Sequence, residues 1–321
     1  MRYLLTGGAG FVGSHLSELL LSEGHKVHVL DDLSTGSIRN IESLKVSPNF
    51  SYTIDSIFNE PLTAELVDDA DVIFHLAAAV GVFQIVESPV RTIETNIEGT
   101  KALLTHTTKK KKPILIASTS EVYGKSPELP FREDGDLILG PSTKGRWSYA
   151  ASKLIDEFLA LSYSREKKLP TIVVRLFNTV GPRQTGQYGM VVPRFVKQAL
   201  EGGPITVYGD GEQSRCFGFV GDVVGGLVAL TREPNAYGKV FNIGNDKEIS
   251  ITALAEMIRR KVNPDIKIDY IPYDQAYEAG FEDMRRRIPD LTRIRELIGY
   301  EPKIQTEEII DRVIDSIKSE G

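Results

Sequence analysis

Short apolar runs recur through the first half of the chain, at residues 3–5, 27–30, 72–76, 114–117 and 171–176, the length of buried strands rather than helices. Between them apolar residues return at helical spacing, as at Leu16, Leu19 and Leu20 and again at Leu154, Phe158 and Leu161. Strands alternating with helices predict an α/β fold built on a doubly wound parallel sheet. Past Asn178 the texture changes to Gly- and Pro-punctuated stretches, Gly181-Pro182, Gly186, Gly189, Pro193, Gly202-Gly203-Pro204 and Gly209-Asp210-Gly211. Such loops wrap a ligand or build a smaller second lobe. Two later helices are predicted, one capped by Ser250 (Ile251, Leu254, Ala255, Ile258) and a last one from about Thr306 (Ile309, Ile310, Val313, Ile317). The lysines at 109–112, just before Pro113, read as the solvated C-terminus of a helix.

Composition narrows the function classes. The 321 residues, 41% hydrophobic and 26% charged, are enough for one large or two modest domains and indicate neither disorder nor a fibre. With 38 Lys+Arg against 44 Asp+Glu the formal charge is -6, which argues against a nucleic-acid partner because phosphate binding needs a basic face. No apolar run reaches the roughly 18 residues of a membrane span. The single Cys216 allows no internal disulfide, fits a reducing cytoplasmic compartment and is expected to be a small buried residue. The five histidines show no ligand spacing, so no metal site is expected.

Three constellations carry chemistry. Gly7-Gly8-Ala9-Gly10-Phe11-Val12-Gly13 follows the first predicted strand and opens the first helix, where glycine spacing of this kind lets backbone approach a dinucleotide pyrophosphate. The second strand ends in Asp31, a carboxylate suited to ribose hydroxyls and repulsive to a 2′-phosphate, which predicts NAD rather than NADP. Tyr149-Ala150-Ala151-Ser152-Lys153 sets a phenol and an ammonium one helical turn apart. A phenol acting as base near neutrality needs a pKa shift of about three units, ~4 kcal/mol, which a lysine and an oxidised nicotinamide together could supply. Ser118-Thr119-Ser120-Glu121-Val122-Tyr123-Gly124 stands at the end of the fourth apolar run, where side chains of an open α/β sheet face a ligand.

In this order the three motifs resemble the extended short-chain dehydrogenase/reductase family, specifically its NAD-dependent nucleotide-sugar epimerases, dehydratases and decarboxylases. The resemblance continues through Arg175-Leu176-Phe177-Asn178-Thr179-Val180-Gly181-Pro182-Arg183, Gly209-Asp210-Gly211-Glu212-Gln213-Ser214-Arg215 and Arg287-Ile288-Pro289-Asp290. It implies a Rossmann domain over residues 1–178 with about 216–246, and a smaller α/β substrate lobe from 179–215 and 247–321. It implies that Tyr149 takes a proton from a sugar hydroxyl, that Lys153 holds the nicotinamide ribose and tunes the tyrosine, and that Ser120 or Thr119 bonds the sugar oxygen. The NAD site is expected from Gly7, Gly10, Phe11, Val12, Gly13, Asp31, Asp32, Ser34, Thr35, Gly36, Asp55, Leu76, Ala77, Ala78, Tyr149, Lys153 and Val180. Asn178, Val192, Thr206, Tyr208, Arg215 and Arg287 are expected around a UDP-sugar, and the protein is expected to be a homodimer joined through the helix that carries Tyr149.

These enzymes share oxidation to a 4-keto sugar and differ afterwards. Glu121 within Ser-Thr-Ser-Glu-Val-Tyr-Gly, with Arg146-Trp147-Ser148-Tyr149, is similar to UDP-glucuronate decarboxylases. Ala78-Ala79-Val80-Gly81-Val82 is closer to 4-epimerases. Ser120 stands where dehydratases of dTDP-glucose carry the Asp of an Asp-Glu pair, which weakens that reading. UDP-glucuronate decarboxylase is therefore the first expectation and UDP-sugar 4-epimerase the alternative. A regulatory protein that has lost catalysis is disfavoured by retention of both Tyr149 and Lys153.

Overall fold

A computed structural model describes residues 1–79, 88–186, 190–276 and 284–320. Val80, Gly81, Val82 and Gly189, singled out above, lie outside these residues. The strands in chain order are β1 (Arg2–Thr6), β2 (Lys26–Asp31), β3 (Phe50–Ile54), β4 (Val72–His75), β5 (Ile114–Thr119), β6 (Thr171–Leu176), β7 (Thr179–Val180), β8 (Ile205–Tyr208), β9 (Ser214–Cys216), β10 (Gly218–Phe219), β11 (Lys239–Ile243), β12 (Glu248–Ser250) and β13 (Ile268–Ile271).

Seven of them form one parallel sheet, in the order β11-β6-β5-β4-β1-β2-β3. Its central strands are buried on both faces, which is why they appear in the sequence as continuous apolar runs. Edge strand β3 has mostly open or half-open positions and one neighbour, so its apolar pattern is weak and no run announced it.

The longer helices among the described residues are α1 (Phe11–Ser22), α2 (Glu60–Asp69), α3 (Pro89–Lys110), α4 (Trp147–Lys167), α5 (Val191–Leu200), α6 (Val220–Thr231), α7 (Ile251–Val262), α8 (Thr292–Ile298) and α9 (Thr306–Glu320). On one face of the sheet Leu16 and Leu20 of α1 and Val223 and Leu227 of α6 pack against Tyr3, Val29 and Phe74. On the other, Val67 of α2, Leu103 and Leu104 of α3 and Ala160 of α4 cover Leu4, Ile73 and Ile116. The chain order reverses between β1 and β4, and the crevice beyond their carboxyl ends is where such sheets take ligands.

The second lobe has its own core, from Val192 and Phe195 of α5, Val207 of β8, Leu254 and Ile258 of α7 and Ile309 and Val313 of α9. Ser250 caps α7, its Oγ accepting from the Ala253 amide at 3.1 Å. Leu291, Ile294 and Tyr300 lie within the 247–321 stretch yet pack in the core of the first domain. Phe158 departs from its predicted place. It faces outward, 64% exposed, while Leu154 packs near Tyr123 and Phe131, and Leu161 packs with the α3 side of the sheet. Among the described residues no helix is long and apolar enough to cross a membrane.

Candidate active site

The β1–α1 turn closes on itself so tightly that only glycine fits. A Cβ on Gly7, whose φ is +73°, would stand 2.6 Å from the Ala77 amide nitrogen, and one on Gly13 would stand 2.4 Å from the Gly7 carbonyl oxygen. Helix α1 then begins with no side-chain cap, and its open N-terminus faces a cavity of about 540 Å³. Gly7, Gly10, Phe11, Val12, Gly13, Asp31, Asp32, Ser34, Thr35, Asp55, Leu76, Ala77, Ala78 and Tyr149 all line it.

Asp31 is buried at the far end of β2. Its Oδ2 accepts from the Ala9 amide at 2.9 Å and its Oδ1 from the Leu33 amide at 2.8 Å, so the carboxylate braces the glycine turn as well as facing the cavity. Burial raises its pKa against these donors.

Gly36, Lys153 and Val180, expected with that group, stand behind the lining. A Cβ on Gly36 would lie 2.9 Å from Asp31 Oδ1, Lys153 is 2% exposed, and Val180 packs in the second lobe's core. The sequence reading missed Asn40, Ser56, Ile57, Phe58, Arg183 and Gln184, which also line the cavity. Arg183, at φ +68°, donates to Glu18, to the Asn40 carbonyl oxygen and to His15 Nδ1, fixing the second lobe's first loop against α1. Its position after Gly181-Pro182 was the available signal.

Tyr149 sits in the first turn of α4, half-buried at the edge of the cavity. One turn on, the buried Lys153 donates to Asp156 Oδ2 at 2.8 Å. Ser152 Oγ donates to the Tyr149 carbonyl oxygen at 2.8 Å, and Asn96 Nδ2 on α3 donates to Ser152 Oγ at 3.0 Å, tying the turn to the neighbouring helix. Burial, then the charges of Glu121 and Asp156, push the Tyr149 phenol above its ordinary pKa, while a hydrogen bond with Thr119 acts the other way. These groups favour the neutral phenol, and positive charge placed beside it would favour ionisation.

β5 ends in Thr119, and a tight turn over Ser120–Tyr123 follows, with the Thr119 Oγ1 accepting from the Glu121 amide at 3.2 Å. Ser120 is buried. Glu121 Oε1 pairs with Arg287 Nη1 at 2.7 Å and Oε2 with Arg146 Nη2 at 3.3 Å. Burial pulls its pKa up, but Arg287, Arg146 and the nearby Arg215 outweigh that and hold the carboxyl below its ordinary value. The segment carrying Arg287 is pinned from the first domain: Phe131 N donates to the Ile288 carbonyl oxygen at 2.8 Å, and Asn242 Nδ2 donates to the carbonyl oxygens of Phe131 and Asp290. Three guanidiniums around one carboxylate leave net positive charge at Glu121, suited to an anionic group.

The other expected substrate residues run from Asn178, just past the end of β6, into the second lobe. Asn178 spends its amide on the Cys216 carbonyl oxygen at 3.1 Å. Thr206 Oγ1 accepts from Arg194 at 3.0 Å and Gln198 at 2.7 Å, and the Tyr208 ring lies 4.0 Å under the Arg194 guanidinium. Val192 is 1% exposed in the lobe's core, so its side chain supports this wall from behind. Cys216 is fully buried, which pushes its thiol up to about 12. No group of three or more His, Cys, Asp or Glu able to hold a metal occurs among the described residues.

Comparison with known proteins places this geometry. The family model described as GDP-mannose 4,6-dehydratase matches residues 4–313. A UDP-N-acetyl-alpha-D-glucosaminuronate decarboxylase of Bacillus cytotoxicus is 41% identical over 314 residues, covering 98% of this chain and 96% of that protein. UDP-glucuronic acid decarboxylase 1 of Xenopus tropicalis is 37% identical, over 99% of this chain and 72% of its own length. Among solved structures, the UDP-glucuronic acid 4-epimerase of Bacillus cereus in complex with UDP-glucuronic acid and NAD superposes with a TM-score of 0.90 over 100% of both chains, at 29% identity.

Proposed function

The chain belongs to the family described as GDP-mannose 4,6-dehydratase, the nucleotide-sugar branch of the extended short-chain dehydrogenases/reductases, and from that premise we propose that it is an NAD-dependent decarboxylase of a UDP-linked uronate, with UDP-glucuronate as the first candidate substrate. The observation that carries this reading is Glu121 held ionised between Arg287 and Arg146, two residues from Thr119, with its charge felt at Tyr149. The two decarboxylase relatives above support the same chemistry.

The residues present fit NAD. The glycine turn and the open N-terminus of α1 would take the pyrophosphate and Asp31 the adenine-side ribose, while Lys153 stands behind this lining, paired with Asp156 one turn beyond Tyr149. Bound NAD supplies the acceptor for a hydride from the sugar C4 and returns it at the end of the cycle. Tyr149 takes the C4 hydroxyl proton, helped by the Lys153 ammonium, and Ser120 or Thr119 donates to the same oxygen. The product is a β-keto acid. Its C5–C6 bond breaks as carbon dioxide leaves, the electron pair passes into an enolate at C4 and C5, and the surrounding donors and guanidiniums stabilise that charge. A proton from solvent is then added at C5, and Tyr149 returns its own proton to the C4 oxygen.

The second reading, a 4-epimerase, is favoured by the fold match to the Bacillus cereus enzyme. Incubating the chain with UDP-glucuronate, and in parallel with its 2-acetamido counterpart, decides between them. Loss of carbon dioxide lowers the product mass. An unchanged mass with an inverted C4 by NMR overturns the decarboxylase reading and supports the epimerase. We also place the protein in the cytoplasm as a homodimer, the latter supported by apolar side chains left open on α3 and α4.

A further inference from the structure

Asp156 is fully buried within α4, yet the three-residue step from Lys153 turns it toward the same interior as the proposed reaction's ammonium. A carboxylate without solvent costs several kcal/mol unless it is paired, and an apolar pair of similar volume would serve packing as well. Here Asp156 Oδ2 accepts from Lys153 Nζ at 2.8 Å, and Oδ1 is buried without a hydrogen-bond partner. Thr100 of α3 stands beside the carboxylate, and its Oγ1 meets His75 Nε2 of β4 at 3.1 Å. His75 Nδ1 in turn meets Thr6 Oγ1 of β1 at 2.7 Å.

The other charged and titratable groups facing this pocket are accounted for. Glu157 is committed to Arg175 at 2.7 Å and accepts from Ser118, His75 is neutral, and Glu121 lies across Tyr149 among its arginines. Asp156 therefore acts on Lys153 directly and on Tyr149 through space.

We infer that Asp156 is a positioning residue for the chemistry at Tyr149: it fixes the Lys153 ammonium behind the cofactor cleft and cancels part of the field which that ammonium exerts on the Tyr149 hydroxyl. The inference rests on Tyr149 being the base of the proposed reaction. In this arrangement Lys153 and Asp156 together are nearly neutral at the phenol. The decisive positive charge is then the oxidised nicotinamide, so the base forms when cofactor is in place and not before.

The test titrates Tyr149 in the NAD-loaded protein through the ultraviolet band of its phenolate, each variant being blanked against the same variant carrying Tyr149→Phe. No sugar is added, so failure of the substrate assignment leaves the result intact. Asp156→Asn is expected to lower the Tyr149 midpoint by about one pH unit. Should that variant not fold, the pair Lys153→Met and Lys153→Met/Asp156→Leu gives the same answer. Removing both charges should raise the midpoint less than removing Lys153 alone. An unchanged midpoint in Asp156→Asn, or equal midpoints in the Lys153→Met pair, overturns the inference and leaves Asp156 a packing residue. A Tyr149 that never ionises in the NAD-loaded protein overturns both the inference and the reading it rests on.

Discussion

Tyr149 is surrounded by groups that oppose its ionisation, so its proton transfers depend on what is bound beside it. Tyr149→Phe is expected to lower turnover by roughly two to four orders of magnitude, the usual worth of a positioned acid–base group, with NAD content unchanged; near wild-type product formation would remove Tyr149 from the mechanism. Glu121→Ser separates the later step. Releasing Arg287 and Arg146 from their carboxylate should slow carbon dioxide release far more than C4 oxidation, seen as accumulated reduced cofactor absorbance after UDP-glucuronate is added. Equal slowing of both steps would make Glu121 a general support of the site. His75 gives a pH prediction. Burial, with the Lys153 charge, lowers its pKa from 6.5 to about 3. Above pH 6.5 folded and unfolded chains both hold it neutral and it contributes nothing to the pH dependence. Below that the unfolded chain binds the proton and the folded one does not, so stability falls by about 1.4 kcal/mol per pH unit until the folded pKa is reached. Denaturant unfolding between pH 6.5 and 4 should show this slope, and His75→Gln should remove it. Tyr149, Lys153 and Glu121 were legible because each lies in one local motif. Asp156 and Arg194 were not, since one reads as ordinary helix polarity and the other meets Tyr208 and Thr206 only through the folding of the second lobe.

At the scale of elements, the site is a set of strand and helix ends brought to one edge. The β1–α1 turn is the tightest of these, and it was readable from sequence because close backbone approach demands glycine. The same contact predicts the cost of change: the Cβ of Gly13→Ala would meet the Gly7 carbonyl oxygen and Gly8 Cα, neither of which is a flexible side-chain tip. The turn must open, and NAD affinity should fall on the order of tenfold or more, ~1.4 kcal/mol. Cofactor released on denaturing the purified protein measures this, and full retention would contradict it. The central strands were legible from apolar runs, whereas β11 was missed because Asn242 interrupts it. That asparagine has a buried task, as it accepts from Tyr123 at 2.7 Å and donates to the carbonyl oxygens of Phe131 and Asp290. It thereby holds the segment that carries Arg287, a long-range connection for which sequence spacing has no signal.

For the whole molecule, the formal charge of -6 and two anionic ligands look opposed until the positive charge is located. Arg146, Arg215 and Arg287 gather at Glu121, and Arg183 lines the cavity, so attraction is local and needs no basic surface. The outer surface raises a different question, since Val90 and Ile93 on α3 and Ile155 and Phe158 on α4 are open to solvent, Phe158 to 64%. The helical spacing of Phe158 had pointed inward, and an aromatic ring is rarely left there without a partner. Pairing α3 and α4 with the same two helices of a second copy would bury all four side chains in a self-complementary interface, and stable interfaces cover about 800 Å² per partner. Light scattering should find a dimer in the wild type and a monomer in Phe158→Glu, which places a carboxylate against its own symmetry mate. Because Phe158 and Tyr149 share α4, separation of the copies should also lower turnover, to a smaller extent than Tyr149→Phe. A variant that remains dimeric, or a wild type that is monomeric throughout, would assign these side chains to another surface.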